Sequence, residues 1–260
     1  MNTELGTVVV TGAAGQVARA VRAGLHGVAS RVVLADLAEV AGLGEAEESL
    51  VLDVRDEAAV VAALAGADAV VHLGGIPDEA PLPDLLTSNV LGTHHILEAA
   101  RLHGLRRVVL ASSNRLTGFY PTTQVVSPTD TPRPDGLYGV SKVAVEALAR
   151  LYADKFGVSV VCLRIGSFEA EPSEPRHRAT WLSPRDCTGF INAALTTPNL
   201  HFETAYAVSA NTNRFWELSP TLGYTPVDNA ETYGIEGEFE GVQGGTYAGK
   251  TYTLPHLNHS

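Results

Sequence analysis

Short apolar runs rich in valine, isoleucine and leucine recur along the chain. Between most of them lie longer stretches in which apolar positions return every three or four residues. The short runs fit strands buried on both faces, and the longer stretches fit helices with one packed side. The pattern predicts strands over 7–11, 31–35, 50–53, 67–73, 107–112 and 158–165. It predicts helices over 15–25, 58–64, 82–103 and 138–156. Strand and helix alternate, which is the signature of an α/β fold: a doubly wound parallel sheet with helices on both faces. After Ile165 the regularity fades. Residues 183–194 suit a helix and 202–208 a strand, while the C-terminal end is rich in Gly, Thr and Tyr and has no period. One domain over 1–260 is expected, with 1–165 as its core and 166–260 mainly a short cap and tail.

Composition narrows the class. A chain of 260 residues with 45% hydrophobic content has ample material for one large core. No apolar stretch approaches the ~18 residues of a membrane span. Met1-Asn2-Thr3-Glu4 places no basic patch before an apolar segment, so no secretory signal is expected. Cys162 and Cys187 lack metal-ligand spacing, and Cys162 sits in an apolar run as a buried free thiol would, so a cytoplasmic location is expected. A net charge of −11 argues against nucleic acid or an anionic membrane as partner. An anionic small molecule would then need a local cation. The expected assembly is a homo-oligomer. No metal site is expected. His94 and His95 are adjacent on a helix and cannot face one ion together, and His256 and His259 have no carboxylate or cysteine framework beside them. No Gly-x-Ser-x-Gly elbow supplies a hydrolase nucleophile.

Two stretches carry chemistry. The first is Thr11-Gly12-Ala13-Ala14-Gly15-Gln16-Val17-Ala18, directly after Val8-Val9-Val10. Gly12 and Gly15 permit a tight turn between strand and helix. Backbone N–H groups of that turn, with Gln16 and Val17 opening the helix, then approach a dinucleotide pyrophosphate. Asp36 ends the next strand. Its carboxylate accepts from ribose hydroxyls and repels a 2′-phosphate, which favours NAD over NADP. Asp53-Val54 follows the third strand, where it would meet the adenine amino group. Gly74, with Gly75, ends the fourth, where backbone passes close to a flat cofactor. Asn89 is read as a bridge between backbone groups, without chemistry.

The second stretch is Tyr138-Gly139-Val140-Ser141-Lys142. Residues four apart share a helix face, so the Tyr138 phenol and the Lys142 ammonium point the same way. A free tyrosine has a pKa of ~10. A nearby ammonium favours the phenolate, and a lowered value is expected for Tyr138. Ser113 lies at the same carboxyl edge of the sheet, where its hydroxyl orients the reacting oxygen. The set describes an oxidoreductase that takes a proton from an alcohol while a nicotinamide takes the hydride, on a Rossmann-type core.

The glycine loop, Asp53-Val54, Ser113 and the Tyr138-x-x-x-Lys142 spacing resemble the extended short-chain dehydrogenase/reductase superfamily. Longer strings narrow this: Val71-His72-Leu73-Gly74-Gly75, Ala111-Ser112-Ser113-Asn114, 133–142, Arg164-Ile165-Gly166-Ser167, Thr180-Trp181 and Gln243-Gly244-Gly245-Thr246. Over nearly the whole chain they resemble the NAD-dependent uronate dehydrogenase family. The resemblance implies oxidation of the C1 hemiacetal of a hexuronate (glucuronate or galacturonate) to an aldarolactone. It implies Tyr138 as proton acceptor, Lys142 as cofactor holder, and Ser113, Asn114 and Ser167 as partners of sugar hydroxyls. It implies that Arg176, in the basic cluster Arg176-His177-Arg178, binds the uronate carboxylate; a guanidinium forks onto both carboxylate oxygens. Two positions depart from the family pattern. Pro77 replaces a serine that touches substrate, and Arg115 replaces a histidine, which makes Arg115 a second candidate for substrate binding.

Two rivals stand beside this reading. A nucleotide-sugar epimerase or dehydratase of the same superfamily needs a larger C-terminal region than this chain offers. A non-catalytic NAD-sensing regulator has no use for the intact Tyr–Lys–Ser set.

Overall fold

The computed structural model of the protein describes residues 5–252. Met1–Glu4, His256 and His259 lie outside the described residues. The centre of the molecule is a seven-stranded parallel sheet. In chain order its strands are β1 (Leu5–Thr11), β2 (Ala29–Asp36), β3 (Glu47–Val51), β4 (Ala69–His72), β5 (Arg107–Ser113), β6 (Val160–Ile165) and a last strand, Phe202–Ala207. Two short strands intervene, β7 (Ser167–Phe168) and β8 (Trp181–Leu182), so the last is β9. Spatially the order is β3-β2-β1-β4-β5-β6-β9.

Alternation within β1 explains why the sheet is covered on both faces. Val8 and Val10 face one layer, with α1 (Gln16–Leu25) and a helix late in the chain, through Val21, Leu25, Phe190 and Ile191. Val9 faces the other, through Ile96, Leu97, Val145, Ala149 and Tyr152. All three valines are at most 1% exposed, so neither face tolerates a polar residue. Burial of that extent stabilises by roughly 1.5–3 kcal/mol per large side chain. The winding reverses between β1 and its two neighbours, β2 and β4. At such a switch point the loops at the carboxyl ends splay apart and leave a crevice.

The remaining helices are α2 (Glu57–Ala63), α3 (Leu82–Leu85), α4 (Gly92–His103), α5 (Leu137–Phe156), α6 (His177–Thr180) and α7 (Pro184–Thr196). The expected single helix over 82–103 is interrupted. Leu86–Leu91 is a π-helical stretch between α3 and α4. Asn89 gives the reason. Its Oδ1 accepts from Ile76 N at 2.8 Å, and its Nδ2 donates to Ile76 O and to Ser141 Oγ, both at 3.1 Å. The wider turn lets the side chain reach the β4 loop. His94 packs edge-on to Tyr152, and His95 bonds the Val54 carbonyl, so the pair serves packing.

Two elements after Ile165 belong to the main sheet and its cover: β9 pairs with β6, and α7 packs on α1. Ser183 starts α7 by accepting from Asp186 N at 3.0 Å, with Pro184 at the first position. The rest of the C-terminal part lies over the carboxyl edge. There Tyr206 stacks on Trp216 with centroids 5.2 Å apart. Among the described residues no helix is long and apolar enough to cross a membrane.

Beneath the crevice sits a buried charged pair. Arg164, 3% exposed, donates from Nε and Nη2 to both oxygens of Glu146 at 2.9 and 2.8 Å. Its Nη1 reaches the Tyr206 hydroxyl, and Ser112 Oγ donates to Glu146. Removing one partner of such a pair strands the other charge. Arg164→Met should lower stability by about 3–5 kcal/mol, read as a lower urea midpoint at unchanged slope. Arg164→Met with Glu146→Leu should recover most of that loss. A single-variant loss under about 1 kcal/mol would mean the pair carries no such role.

Candidate active site

The crevice is a cavity of about 1010 Å³. Every residue to which the sequence assigned a site role lines it. Gly12, Gly15, Gln16, Val17, Asp36, Asp53, Val54 and Gly74 form one end; Ser113, Asn114, Arg115, Tyr138, Lys142, Ser167 and Arg176 form the other.

At the first end the backbone is drawn tight. Gly12 has φ +70, and a Cβ on it would lie 2.6 Å from Gly74 N, so the two glycine turns touch. A side chain at either place would fill the cradle. Asp36 fastens the loop: its Oδ2 accepts from Ala14 N at 2.8 Å and its Oδ1 from Leu37 N at 2.7 Å. Each carboxylate oxygen keeps a second acceptor site toward the cavity edge. Asp53 is half-exposed and ion-paired with Arg55, whose hydrogen bonds hold its carboxyl below the usual range. Open glycine turns at a strand end, the start of α1 and a carboxylate at the end of β2 fit a dinucleotide with free ribose hydroxyls.

At the second end the chemistry is buried. Tyr138 and Lys142 are 8% and 7% exposed, one turn apart near the start of α5. Lys142 Nζ donates to Ala111 O at 2.9 Å and lies 5.7 Å from the Tyr138 ring centroid. The expected fall in the Tyr138 pKa does not occur. Burial pushes the phenol up to about 12, against a hydrogen bond with Ser113 and the charge of Arg115. Burial also pulls Lys142 down to about 8. A dry site disfavours either charge alone, and this outweighs the attraction the sequence suggested. A further positive charge beside them would favour the phenolate and disfavour the ammonium. Behind them His72, bonded through Nδ1 to Thr11 Oγ1 at 2.6 Å, is held down to about 3 by burial and is neutral.

The two arginines divide. Arg115 donates to Asp135 (2.8 Å), Asp78 (2.7 Å) and Glu79 (2.8 Å) from three different nitrogens. One cation faces three carboxylates, so a fourth carboxylate from a substrate would meet net negative charge. Arg176 is also buried, 6% exposed, yet forms no salt bridge among the described residues. Its Nε donates to Gln243 O and its Nη1 to Ser167 Oγ, both at 2.9 Å, and its guanidinium stands 5.4 Å from the Tyr247 ring centroid. Ser167 is thereby occupied in holding Arg176, and its hydroxyl also bonds Thr180. Within the basic cluster, Arg178 pairs outward with Glu231. Sequence reasoning missed Asp78, Glu79, Tyr247 and the anchoring carbonyl of Gln243. The glutamine stood in a recognised string, but no local signal tied any of the four to an arginine.

Fold and site together define an oxidoreductase of the short-chain dehydrogenase type. The chain belongs to the NAD dependent epimerase/dehydratase family, whose model matches residues 8–187, and within it to the uronate dehydrogenases. A uronate dehydrogenase of Agrobacterium fabrum is 44% identical over 87% of this chain and 86% of its own length. The crystal structure of a uronate dehydrogenase mutant from Agrobacterium tumefaciens complexed with NAD is 39% identical, with a TM-score of 0.89 over 96% of this chain and 99% of that one. A glucuronic acid dehydrogenase from Chromohalobacter salexigens superposes with a TM-score of 0.91 at 35% identity, over 98% of this chain and all of its own.

The depressed Lys142 pKa has a sign in stability. Between about 8 and the ordinary 10.5 the folded protein binds fewer protons at this site than the unfolded chain, so its contribution to stability rises with pH. In the ligand-free protein, the urea stability of wild type minus that of Lys142→Met should climb between pH 8 and 10.5 and be flat below that window. A difference that is flat or falling across the window would contradict the buried-ammonium description.

Proposed function

We propose that the protein oxidises the C1 hydroxyl of a hexuronate, galacturonate or glucuronate, to the aldarolactone with NAD. The observation that carries this reading is Arg176: a buried guanidinium without an anionic partner among the described residues, in the same cavity as Tyr138 and Lys142. A buried cation with no counter-charge is costly, and a ligand carboxylate supplies one. Relatives named for the same reaction, at 36–44% identity, support it.

Gly12, Gly15, Gln16, Val17, Asp36, Asp53, Val54, Gly74 and Lys142 would hold the cofactor. NAD supplies the hydride acceptor and, in its oxidised ring, a positive charge. Burial keeps the Tyr138 phenol neutral, and a positive charge held beside it would favour its ionisation. The tyrosine oxygen then takes the proton of the C1 hydroxyl, and Ser113 orients that hydroxyl. Asn114 and Ser167 complete the polar lining around the sugar. Arg176 grips the carboxylate at the far end of the ring, which fixes the face presented to the cofactor. The carboxylates around Arg115 repel a uronate bound in the reverse sense. The two buried free thiols, Cys162 and Cys187, suit a reducing cytoplasmic compartment.

Adding galacturonate or glucuronate with NAD should produce NADH absorbance, and a nucleotide sugar should not. Tyr138→Phe keeps the ring and removes the oxygen, so turnover should fall ~10²–10⁴-fold while NAD binding persists. Activity within a few-fold of wild type would remove Tyr138 from this role.

Arg176→Ala should lower kcat/KM for galacturonate by roughly 10- to 150-fold, the worth of a charge-assisted fork. It should leave galactose nearly unaffected. Arg176→Lys should recover only part, because an ammonium cannot fork. An acid-over-neutral preference that survives Arg176→Ala would place the carboxylate elsewhere.

A further inference from the structure

One charged cluster is left over by the proposed chemistry. Arg115 is clamped by Asp78 and Glu79, from the loop after β4, and by Asp135, from the loop before α5. Glu79 does a second thing. Its Oε2 accepts from Leu137 N and its Oε1 from Tyr138 N, both at 3.1 Å. The close approach is built in: a Cβ on Gly136 would run into the Glu79 carboxylate. Arg115, for its part, places its guanidinium carbon 5.3 Å from the centroid of the Tyr138 ring. The two partners of one ion pair thus meet the same tyrosine, one at its backbone and the other at its ring. Both are buried, with 9% and 7% of their side chains exposed.

We infer that Glu79 and Arg115 form a positioning unit for Tyr138, in which Glu79 fixes its backbone and Arg115 fixes its ring and tunes how readily its hydroxyl ionises. The inference rests on Tyr138 being the proton acceptor of the proposed reaction. Without this unit, no side chain would meet the Leu137 and Tyr138 N–H groups that open α5, because its N-cap, Gly136, offers none.

The charges around the ring determine the direction of tuning. From β5 and its following turn, Ser113 and Arg115 favour the phenolate. From the loops, Asp78 and Asp135 oppose it. Lys142 lies on the same helix face. On the far side of Arg115 stand the rings of Tyr247, at 4.7 Å, and Tyr252, whose hydroxyl donates to Asp78. Arg115 is therefore the adjustable cation, and its carboxylates offset most of its charge. Removing the cation should make the phenol harder to ionise, and removing a carboxylate should make it easier.

The test is the pH dependence of kcat for galacturonate oxidation in three variants, with thermal unfolding as a check on folding. Arg115→Gln should move the rising limb to higher pH by about one pH unit, and Glu79→Gln should move it to lower pH. Arg115→Lys keeps the charge and loses the fork, so its limb should stay in place. In all three kcat should fall about tenfold, with a smaller change in KM, because positioning of the reacting group is lost. The phenolate absorbance of each protein minus that of its Tyr138→Phe counterpart, with NAD bound, reads the same half-points without turnover. Should Arg115→Gln fail to fold, a downward shift in Glu79→Gln against an unmoved limb in Arg115→Lys still decides. If Glu79→Gln leaves the limb where wild type has it, or moves it the same way as Arg115→Gln, the positioning unit is wrong. If wild type turns over no uronate while the absorbance half-points move as stated, the functional reading fails, and what stands is only that Glu79 and Arg115 set the ionisation of Tyr138.

Discussion

The rest of the site depends on one constraint: an acid and a base are held together in a dry place. Tyr138 and Lys142 sit one turn apart at the carboxyl edge of a parallel sheet, and the protein buries both. Burial penalises charge on either. The phenol rises to about 12 and the ammonium falls to about 8, so the phenolate is scarce at neutral pH. That state is productive because it is conditional. A positive charge delivered beside the phenol shifts the balance, and proton removal is then tied to the presence of the oxidised cofactor. The same dryness strengthens every other charge in the cavity. That is why the arrangement of the two arginines matters.

Those arginines show how a fold separates similar residues. Arg115 and Arg176 are both buried and line the same cavity. Arg115 is enclosed by three carboxylates and has its charge offset. Arg176 is held by a carbonyl and a hydroxyl, neutral groups that orient it and leave its charge in place. Of the two, only the second keeps a charge that no described carboxylate pairs. In a protein of net charge −11, Arg176 thereby stands in the cavity without a salt bridge among the described residues.

Much of this was legible in the sequence because the signals were local. Val8-Val9-Val10, the glycine turn and Asp36 report a strand, a close approach and a ribose carboxylate within one βαβ unit. Tyr138 and Lys142 report a shared helix face by spacing alone. Less legible were features that depend on distant packing. Arg115 meets its carboxylates across separations of 20, 36 and 37 residues, so its charge looked available. The direction of the Tyr138 pKa follows from burial, which spacing does not report. The π-helical stretch at Leu86–Leu91 follows from Asn89 reaching Ile76, a contact invisible to helical periodicity. The seventh strand, β9, was read as a strand but not as part of the main sheet, because its partner β6 lies beyond an irregular stretch of chain.

The central claim is that the sugar loses its C1 hydrogen as hydride while the protein removes the hydroxyl proton. Galacturonate carrying deuterium at C1 tests this directly, with the product nicotinamide cofactor analysed by mass. The reading of the site requires the deuterium to appear on the reduced cofactor, one label per molecule of sugar consumed, and rapid loss of turnover when the phenol oxygen is removed. Reduced cofactor without the label, or label released to solvent, would show that hydride does not come from C1 and that Tyr138 serves some other reaction.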